Sequence, residues 1–271
     1  MTASFDSFDS TGQLMNLITA QLSTQLTRFS PPRRPPATLV AVAHGSRDPE
    51  ASRTVQALLE QVRALRPGVP VSLGHIELAE PLLPETLAAL RGEVVLVPLL
   101  LGRGYHVKHD LPEALAVAPH LTGRIAAPLG PHPLLAEALH SRLVEAGFRR
   151  SRRAAVVLAA AGSRDPDSAA DASRTAALLS ARLRGVPVVP AVASAGGPTV
   201  TEAVRTLVAK GNHRVAVASY FTAPGRFAGQ CASAAPWIAA PPLGAHEAMA
   251  RLVLHRYDEA LVRQAVPVAA A

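Results

Sequence analysis

Short apolar runs of strand length alternate along the chain with longer stretches in which apolar residues recur at helical spacing. This alternation is typical of βαβ units, in which helices connect parallel strands. The pattern predicts strands at about 38–43, 69–76, 93–100 and 123–127, and helices at about 50–65, 82–90, 110–118 and 132–146. The strands are apolar throughout, which indicates a parallel sheet covered on both faces.

The same series of residues then occurs a second time. Gly-Ser-Arg-Asp-Pro stands at 45–49 and again at 162–166, each time after an apolar strand. Further matches follow in the same order, namely 51–54 with 172–175, 69–71 with 186–188, 94–104 with 215–225, and 128–130 with 242–244. An ordered series of this kind predicts a tandem repeat.

The repeat defines the expected domain organisation. We expect two α/β domains of three layers, at 37–147 and 153–263, each with a mainly parallel sheet of about four strands flanked by helices. Residues 1–36 are polar and end in a run rich in Pro and Arg, so we expect a disordered extension there. Asp48-Pro49 and Asp110-Leu111-Pro112 have the composition of helix N-termini.

Composition narrows the classes of function. No apolar run is as long as a membrane span and the N-terminus lacks a secretory signal, so we expect a soluble, cytoplasmic protein without a membrane partner. We also expect a monomer with two internal domains. Cys231 is the only cysteine, which excludes an internal disulfide. A net charge of +7 favours anionic partners, but aromatic residues are only 4% and no basic stripe accompanies them, which argues against nucleic acid.

Three residues that can bind metal follow three predicted strands. His44 ends the first strand, Glu77 follows the second and His106 follows the third. Ligands of parallel α/β sheets bind at the carboxyl ends of the strands, so these side chains are expected to share one edge. Two imidazoles and a carboxylate suit iron, cobalt, nickel or zinc with open coordination positions.

The second repeat lacks all three groups. Ala161, Ser194 and Phe227 stand at the positions of His44, Glu77 and His106, although the surrounding motifs persist. A joint loss is easiest to explain if the three residues form one site. Taken singly, each histidine is more commonly a capping or loop residue, and His109, three residues after His106, is its closest rival. His75 is expected to be a half-buried structural histidine, and Ser46, Arg47 and Asp48 to form a strand-to-helix connection.

Four segments together resemble a known family. They are His44-Gly45-Ser46-Arg47, Glu77-Leu78-Ala79-Glu80-Pro81, Val97-Pro98-Leu99-Leu100-Leu101 and the segment from His106 to Glu113. They are similar to motifs of the class II chelatases of tetrapyrrole synthesis, in particular the sirohydrochlorin chelatases of the long, two-domain form. Ala43 replaces the glycine usual in that family, and a degraded second half is also found in its longer members.

The resemblance implies insertion of Fe²⁺ or Co²⁺ into sirohydrochlorin, with Ni²⁺ as an alternative metal. The reaction would need neither ATP nor a permanently bound cofactor, and its product would most simply be siroheme. It places the metal-handling histidines on His44 and His106 and the acidic partner on Glu77. Glu80 is the alternative to Glu77, but it adjoins Pro81 at a helix start, where a carboxylate also favours the helix dipole. A non-catalytic carrier of metal or tetrapyrrole would use the same residues.

The chemistry fits these residue types. Two pyrrole N–H protons must leave as the metal enters, and a neutral imidazole can both bind the ion and accept a proton near pH 7. The substrate is a polycarboxylate, for which Arg47 and Arg103, with Arg226 from the second repeat, are candidate donors. Tyr220, Phe221 and Phe227 are candidates to wall the cleft, although Phe227 is more simply interpreted as a core residue.

Overall fold

A computed structural model describes residues 35–263 together with Met15, Thr19 and Gln21, which are helical. The predicted disordered extension, 1–36, therefore lies almost entirely outside the described residues. Both repeats belong to a single compact unit that begins at Pro36. Among the described residues, no helix combines the length and apolar character needed to cross a bilayer.

The elements of the first repeat follow the expected βαβ order. They are β1 Thr38–Ala43, α1 Pro49–Leu65, β2 Val71–His75, α2 Leu83–Ala89, β3 Gly92–Pro98, a π-helical turn His106–Asp110, α3 Leu111–Ala116, β4 Leu121–Ile125 and α4 Pro133–Glu145. Most predicted bounds hold to within two residues. The helix predicted from 110 is the exception, because the chain is already helical at His106.

The second repeat has the same order of strands and helices. Its elements are β5 Ala154–Ala160, α5 Pro166–Arg182, β6 Val188–Val192, α6 Val200–Ala209, β7 Arg214–Ser219, α7 Arg226–Ser233, β8 Ile238–Ala239 and α8 Glu247–Val262. The sheets have the orders β2-β1-β3-β4 and β6-β5-β7-β8, and every pair of neighbouring strands is parallel. The predicted class, two α/β repeats with four parallel strands each, is confirmed.

The repeated Gly-Ser-Arg-Asp-Pro segment is a strand-to-helix connection in both repeats. Asp48 caps α1, accepting a hydrogen bond from the Glu50 backbone N–H at 2.9 Å, and Asp165 caps α5 through the N–H of Asp167 at 3.0 Å. A side-chain acceptor here satisfies a free N–H of the first helical turn. This observation confirms the structural interpretation of Ser46 and Asp48, since Ser46 in turn accepts from the Asp48 N–H at 3.0 Å.

Alternate residues of the strands face two different cores. Val40 and Val42 of β1 pack under α2 and α3, whereas Leu39 and Ala41 face a larger core that also contains Val156 and Leu158 of β5. Because strand side chains alternate between faces, each sheet contributes one face to this shared interior. The two repeats therefore fold around a common hydrophobic core.

The last helix of each repeat crosses to the other repeat. Helix α8 packs on β3 and β4, and its Tyr257 hydroxyl donates to the Ala37 carbonyl at 2.7 Å. Helix α4 packs in turn on β7, and its Arg142 donates to the Leu243 carbonyl through Nε and Nη2. The inner face of each sheet is thus covered in part by a helix of the other repeat. This exchange keeps the carboxyl ends of the two sheets next to each other.

Candidate functional site

A cleft of about 1100 Å³ opens where the carboxyl ends of both sheets meet. Its walls come from the segments after β1 and β3 in the first repeat and from those after β5 and β7 in the second. Among the lining residues are His44, Arg47, His106, Phe221, Arg226 and Phe227. Both repeats therefore contribute side chains to the same cleft, as the topology of parallel sheets predicts.

The structure brings His44, His106 and Glu77 together. The ring centroids of His44 and His106 lie 4.8 Å apart in an edge-to-face arrangement at 86°. Glu77 Oε1 lies 3.5 Å from Nε2 of His44, and the two side chains are 52% and 43% exposed. His44 thus lies next to both His106 and Glu77 at the open edge of the first sheet.

The backbone under His44 and Glu77 has little freedom. The Glu77 N–H donates to the His44 carbonyl at 3.0 Å, which joins the two loops. Gly45 has φ +99°, and a Cβ atom there would lie 1.7 Å from the Glu77 carbonyl oxygen. Only glycine fits such a conformation and such a close approach, so the neighbouring histidine and glutamate are held side by side.

The second repeat keeps this backbone without the reactive groups. Gly162 has φ +97°, and the Ser194 N–H donates to the Ala161 carbonyl at 3.1 Å. Ala161 and Ser194 occupy the places of His44 and Glu77. The second repeat therefore keeps the backbone arrangement of these loops but lacks the side chains that could bind a metal.

Asp110 is a site residue that the sequence interpretation missed. Its Oδ2 lies 2.5 Å from Nδ1 of His106. A carboxylate accepts only, so Nδ1 is the donor of this hydrogen bond and Nε2 is the ring nitrogen left for a metal. Asp110 does not cap a helix as predicted, because its backbone is already helical (φ −66°, ψ −38°) and its side chain makes no capping bond. The spacing of four residues on one helical turn was the available signal.

The site is an open arrangement of ligands. Within the part of the chain that the structure describes, no group of three or more His, Cys, Asp and Glu side chains is arranged to hold a metal ion. What the geometry offers is a contacting pair of imidazoles with Glu77 beside one of them. Such a pair leaves most coordination positions of an ion available to another ligand.

The alternative site residues, His109 and Glu80, and the structural histidine His75 have surroundings unlike those of His44, Glu77 and His106. His109 is exposed and its ring lies 4.5 Å from that of Tyr105, with a tilt of 31°. The backbone N–H of Leu82 at the start of α2 donates to Glu85 at 2.9 Å, and Glu80 is exposed. His75 is buried, with Nδ1 3.2 Å from the Pro81 carbonyl, in agreement with its structural interpretation.

The candidate arginines separate into two groups. Arg47 and Arg226 are exposed and line the cleft from opposite repeats. Arg103 instead forms a two-point ion pair with the buried Asp171, with Nη2–Oδ1 at 2.8 Å and Nε–Oδ2 at 3.0 Å. This pairing argues against the predicted substrate contact of Arg103, because its donors already face an internal carboxylate.

The aromatic residues of the second repeat also differ from expectation. Phe227, interpreted as a core residue, is 39% exposed and lies in the cleft wall beside Arg226. Tyr220 is buried, and its hydroxyl donates to the Leu101 carbonyl at 2.7 Å. Burial raises the pKa of the Tyr220 phenol well above its ordinary value, so the group stays protonated. Phe227 is therefore the better candidate for contact with a ligand.

Comparisons with known proteins agree with this geometry. The sirohydrochlorin ferrochelatase of Bacillus subtilis (strain 168) is 32% identical over 173 residues, which are 60% of this chain and 66% of that protein. The sirohydrochlorin cobaltochelatase of Methanococcoides burtonii is 29% identical over 123 residues, 40% of this chain and 94% of that protein.

A solved structure extends the likeness to the whole fold. SirB from Bacillus subtilis with Fe³⁺ matches with a TM-score of 0.70 at 25% identity, and the match covers 83% of this chain and 96% of that one. The CbiX family model matches residues 38–146 and again residues 155–260. Since these two matches include most of both repeats, the chain belongs to the CbiX family.

Proposed function

We propose that this protein inserts Fe²⁺ or Co²⁺ into sirohydrochlorin without ATP, most simply to form siroheme. The observation that carries the proposal is the contact between His44 and His106 in the wall of a large cleft. Glu77 lies beside His44. The relatives named above are a ferrochelatase and a cobaltochelatase acting on the same tetrapyrrole. The metal is a substrate in this reaction and leaves with the product.

The cleft suits a macrocycle. Its volume of about 1100 Å³ is slightly above the usual range for small-molecule sites. Phe221 and Phe227 offer apolar surface, and Arg47 and Arg226 offer guanidinium groups on opposite walls. Guanidinium groups bind carboxylates through paired hydrogen bonds, so these two arginines are our candidates for the acidic groups of the tetrapyrrole.

The roles of the site residues follow from their contacts. Nε2 of His106 is the ring nitrogen available to an incoming ion, because Nδ1 is engaged with Asp110. His44 supplies the second imidazole, and Glu77 is placed to take or relay a pyrrole proton. Two imidazoles bind an ion less tightly than a closed set of four ligands, which favours its transfer to the pyrrole nitrogens.

We further infer that one chain forms the complete site and acts as a monomer. Both walls of the cleft come from the same chain, and the shared core joins the repeats.

We also infer a cytoplasmic location. The single cysteine, Cys231, is buried and unpaired, which is compatible with the reducing cytoplasm.

The variant His106→Ala tests the assignment, with His109→Ala as its matched control. We expect His106→Ala to lower enzymatic insertion at least about 100-fold, because a metal ligand is lost, and His109→Ala to remain within about threefold of the unmodified protein. The assay follows the absorbance of sirohydrochlorin with Fe²⁺, Co²⁺ or Ni²⁺, corrected for the spontaneous rate with each metal.

Two outcomes would contradict the proposal. Turnover by His106→Ala close to that of the unmodified protein would exclude this histidine from the reaction. Formation of one product per protein molecule, without further turnover, would indicate a carrier of metal or tetrapyrrole instead of an enzyme.

A further inference from the structure

The loop between β3 and α3, residues 99–110, carries His106 and is held by the second repeat at several points. At its start, the Tyr220 hydroxyl donates to the Leu101 carbonyl at 2.7 Å and the Thr222 hydroxyl donates to the Leu99 carbonyl at 2.9 Å. These two bonds fix the backbone where the loop leaves the sheet. They do not reach His106 itself, which lies several residues further along.

Arg103 provides an anchor three residues before His106. Asp171 of α5, which is fully buried, accepts from the Arg103 backbone N–H at 2.9 Å, from Nε at 3.0 Å and from Nη2 at 2.8 Å. A buried carboxylate is strongly destabilising when its partner is absent. The pairing therefore ties this part of the loop firmly to the second repeat.

Lys108 provides an anchor two residues after His106. Its ammonium donates to Asp165 Oδ1 and to Asp167 Oδ2, each at 2.9 Å. The hydrogen bonds to Asp165 and Asp167 raise the pKa of Lys108, and those from Lys108 lower the pKa values of both carboxyls. Lys108 is thus charged and doubly paired where it meets the N-terminus of α5.

The anchors are specific to the repeat with the histidines. The positions of Arg103 and Lys108 are occupied by Pro224 and Gly229 in the second repeat. The loop after β7 therefore has no charged side chain at either position. The capping aspartates are kept in both repeats, but only the one in the second repeat, Asp165, meets a lysine of the facing loop.

We propose that Arg103 and Lys108 are positioning residues through which the second repeat holds His106 at the distance from His44 that lets both imidazoles share one ion. This inference rests on the proposed function. The two anchors stand on either side of His106 along the chain, so the loss of either widens the range of positions open to its ring. The second repeat then has a use beyond walling the cleft, although it has no metal-binding histidine of its own.

Lys108→Met is the main test, because its partners are partly exposed and no fully buried charge is left unpaired. The direction of the change in KM for Co²⁺ distinguishes a positioning role from a purely electrostatic one. Removing a positive charge and freeing two carboxylates would by electrostatics alone attract a cation and lower KM for Co²⁺. Loss of positioning instead raises KM for Co²⁺. We expect an increase of about fivefold or more, with a smaller change in KM for sirohydrochlorin. Lys108→Arg keeps the charge and is expected to restore the native value.

Arg66→Met is the matched control. Arg66 at the end of α1 also forms a two-point ion pair with the other repeat, at 2.5 and 2.9 Å from Asp258 of α8. It lies at the opposite end of α1 from the His44 loop, about 25 Å away along the helix axis. This variant loses an ion pair between repeats without touching the loop, so kinetics close to native are expected. The double variant Arg103→Met/Asp171→Leu tests the other anchor without leaving a buried charge.

Hydrogen–deuterium exchange measured by mass spectrometry provides a readout independent of turnover. We expect exchange in peptides covering 102–110 to be accelerated about tenfold in Lys108→Met and in the double variant, and to be unchanged in Arg66→Met. Titration with Co²⁺ alone, followed by its visible absorption, is expected to show a correspondingly weaker affinity in the first two variants.

The outcomes separate the two proposals. Native exchange of 102–110 in Lys108→Met, or faster exchange with unchanged Co²⁺ affinity and KM, would overturn the positioning role. If the unmodified protein bound Co²⁺ but did not turn over sirohydrochlorin, the proposed function would fall, while the Co²⁺ titration and the exchange data would still decide whether the anchors position His106.

Discussion

His106 can act in the proposed reaction only if the correct ring nitrogen faces the cleft. Asp110 decides this, because its carboxylate accepts a hydrogen bond from Nδ1 at 2.5 Å. Carboxylates bonded to a metal-binding histidine commonly fix its orientation and increase its basicity. Asp110 is thus a positioning residue acting through His106, one helical turn away.

Replacing Asp110 with Asn should impair metal handling without unfolding the protein. Asn can still accept from Nδ1 but carries no charge, so we expect kcat/KM for Co²⁺ to fall by about 10- to 100-fold. Glu113→Gln, which neutralises an exposed acid in the first turn of α3, is the control. Melting temperatures of both variants should stay close to native. Native kinetics in Asp110→Asn would show that the ring is oriented by something else.

At the scale of secondary-structure elements, the exchange of α4 and α8 makes the repeats interdependent. Helix α8 covers β3 and β4, and Arg66, just after α1, pairs with Asp258 of α8. The Arg251–Glu137 ion pair joins α8 to α4. Without the second repeat, the inner faces of β1 and β3 lose the apolar side chains that cover them in the shared core.

We therefore expect residues 37–147 alone not to form a stable folded monomer. The fragment should aggregate or pair with a second copy, whose α4 would cover the exposed sheet face in place of α8. Light scattering after size exclusion and a thermal melt measure this directly. Co-expression with 148–263 is the control and should restore a one-to-one complex. A monomeric fragment with a cooperative melt would contradict the dependence.

For the whole molecule, three histidines couple stability to pH. Burial, as the largest cause, lowers the pKa of His132, His140 and His246, which lie at the start of α4, within α4 and at the start of α8. Their pKa values are higher in the unfolded chain, so unfolding takes up protons as the pH falls below about 6.5. Acidification in this range should therefore destabilise the fold.

We expect the melting temperature to decrease steadily from pH 7.5 to pH 5. Carboxyls with lowered pKa values, such as Asp165 and Asp167, stop stabilising the fold only near and below pH 4, which is outside this pH range. His132 and His246 cap their helices through Nδ1, and Asn is a good cap without a charge in this range. His132→Asn/His246→Asn should accordingly flatten the profile. A melting temperature that is constant or rises on acidification would contradict this assignment.

Spacing along the chain was sufficient for the βαβ order, the repeat and the grouping of His44, Glu77 and His106. Apolar periodicity reflects which faces are buried, and parallel strands place the residues that follow them at one edge. These are consequences of local pattern and chain direction. They required no knowledge of which distant segments touch.

Contacts between distant segments decided the rest. Asp110 meets His106 because a π-helical turn begins before the predicted helix, and Arg103 turns from the cleft because Asp171, 68 residues away, is buried beside it. The exposure of Phe227 and the exchange of α4 and α8 likewise depend on how the repeats pack. Periodicity predicts that a face is buried, but only the tertiary structure determines which element covers it.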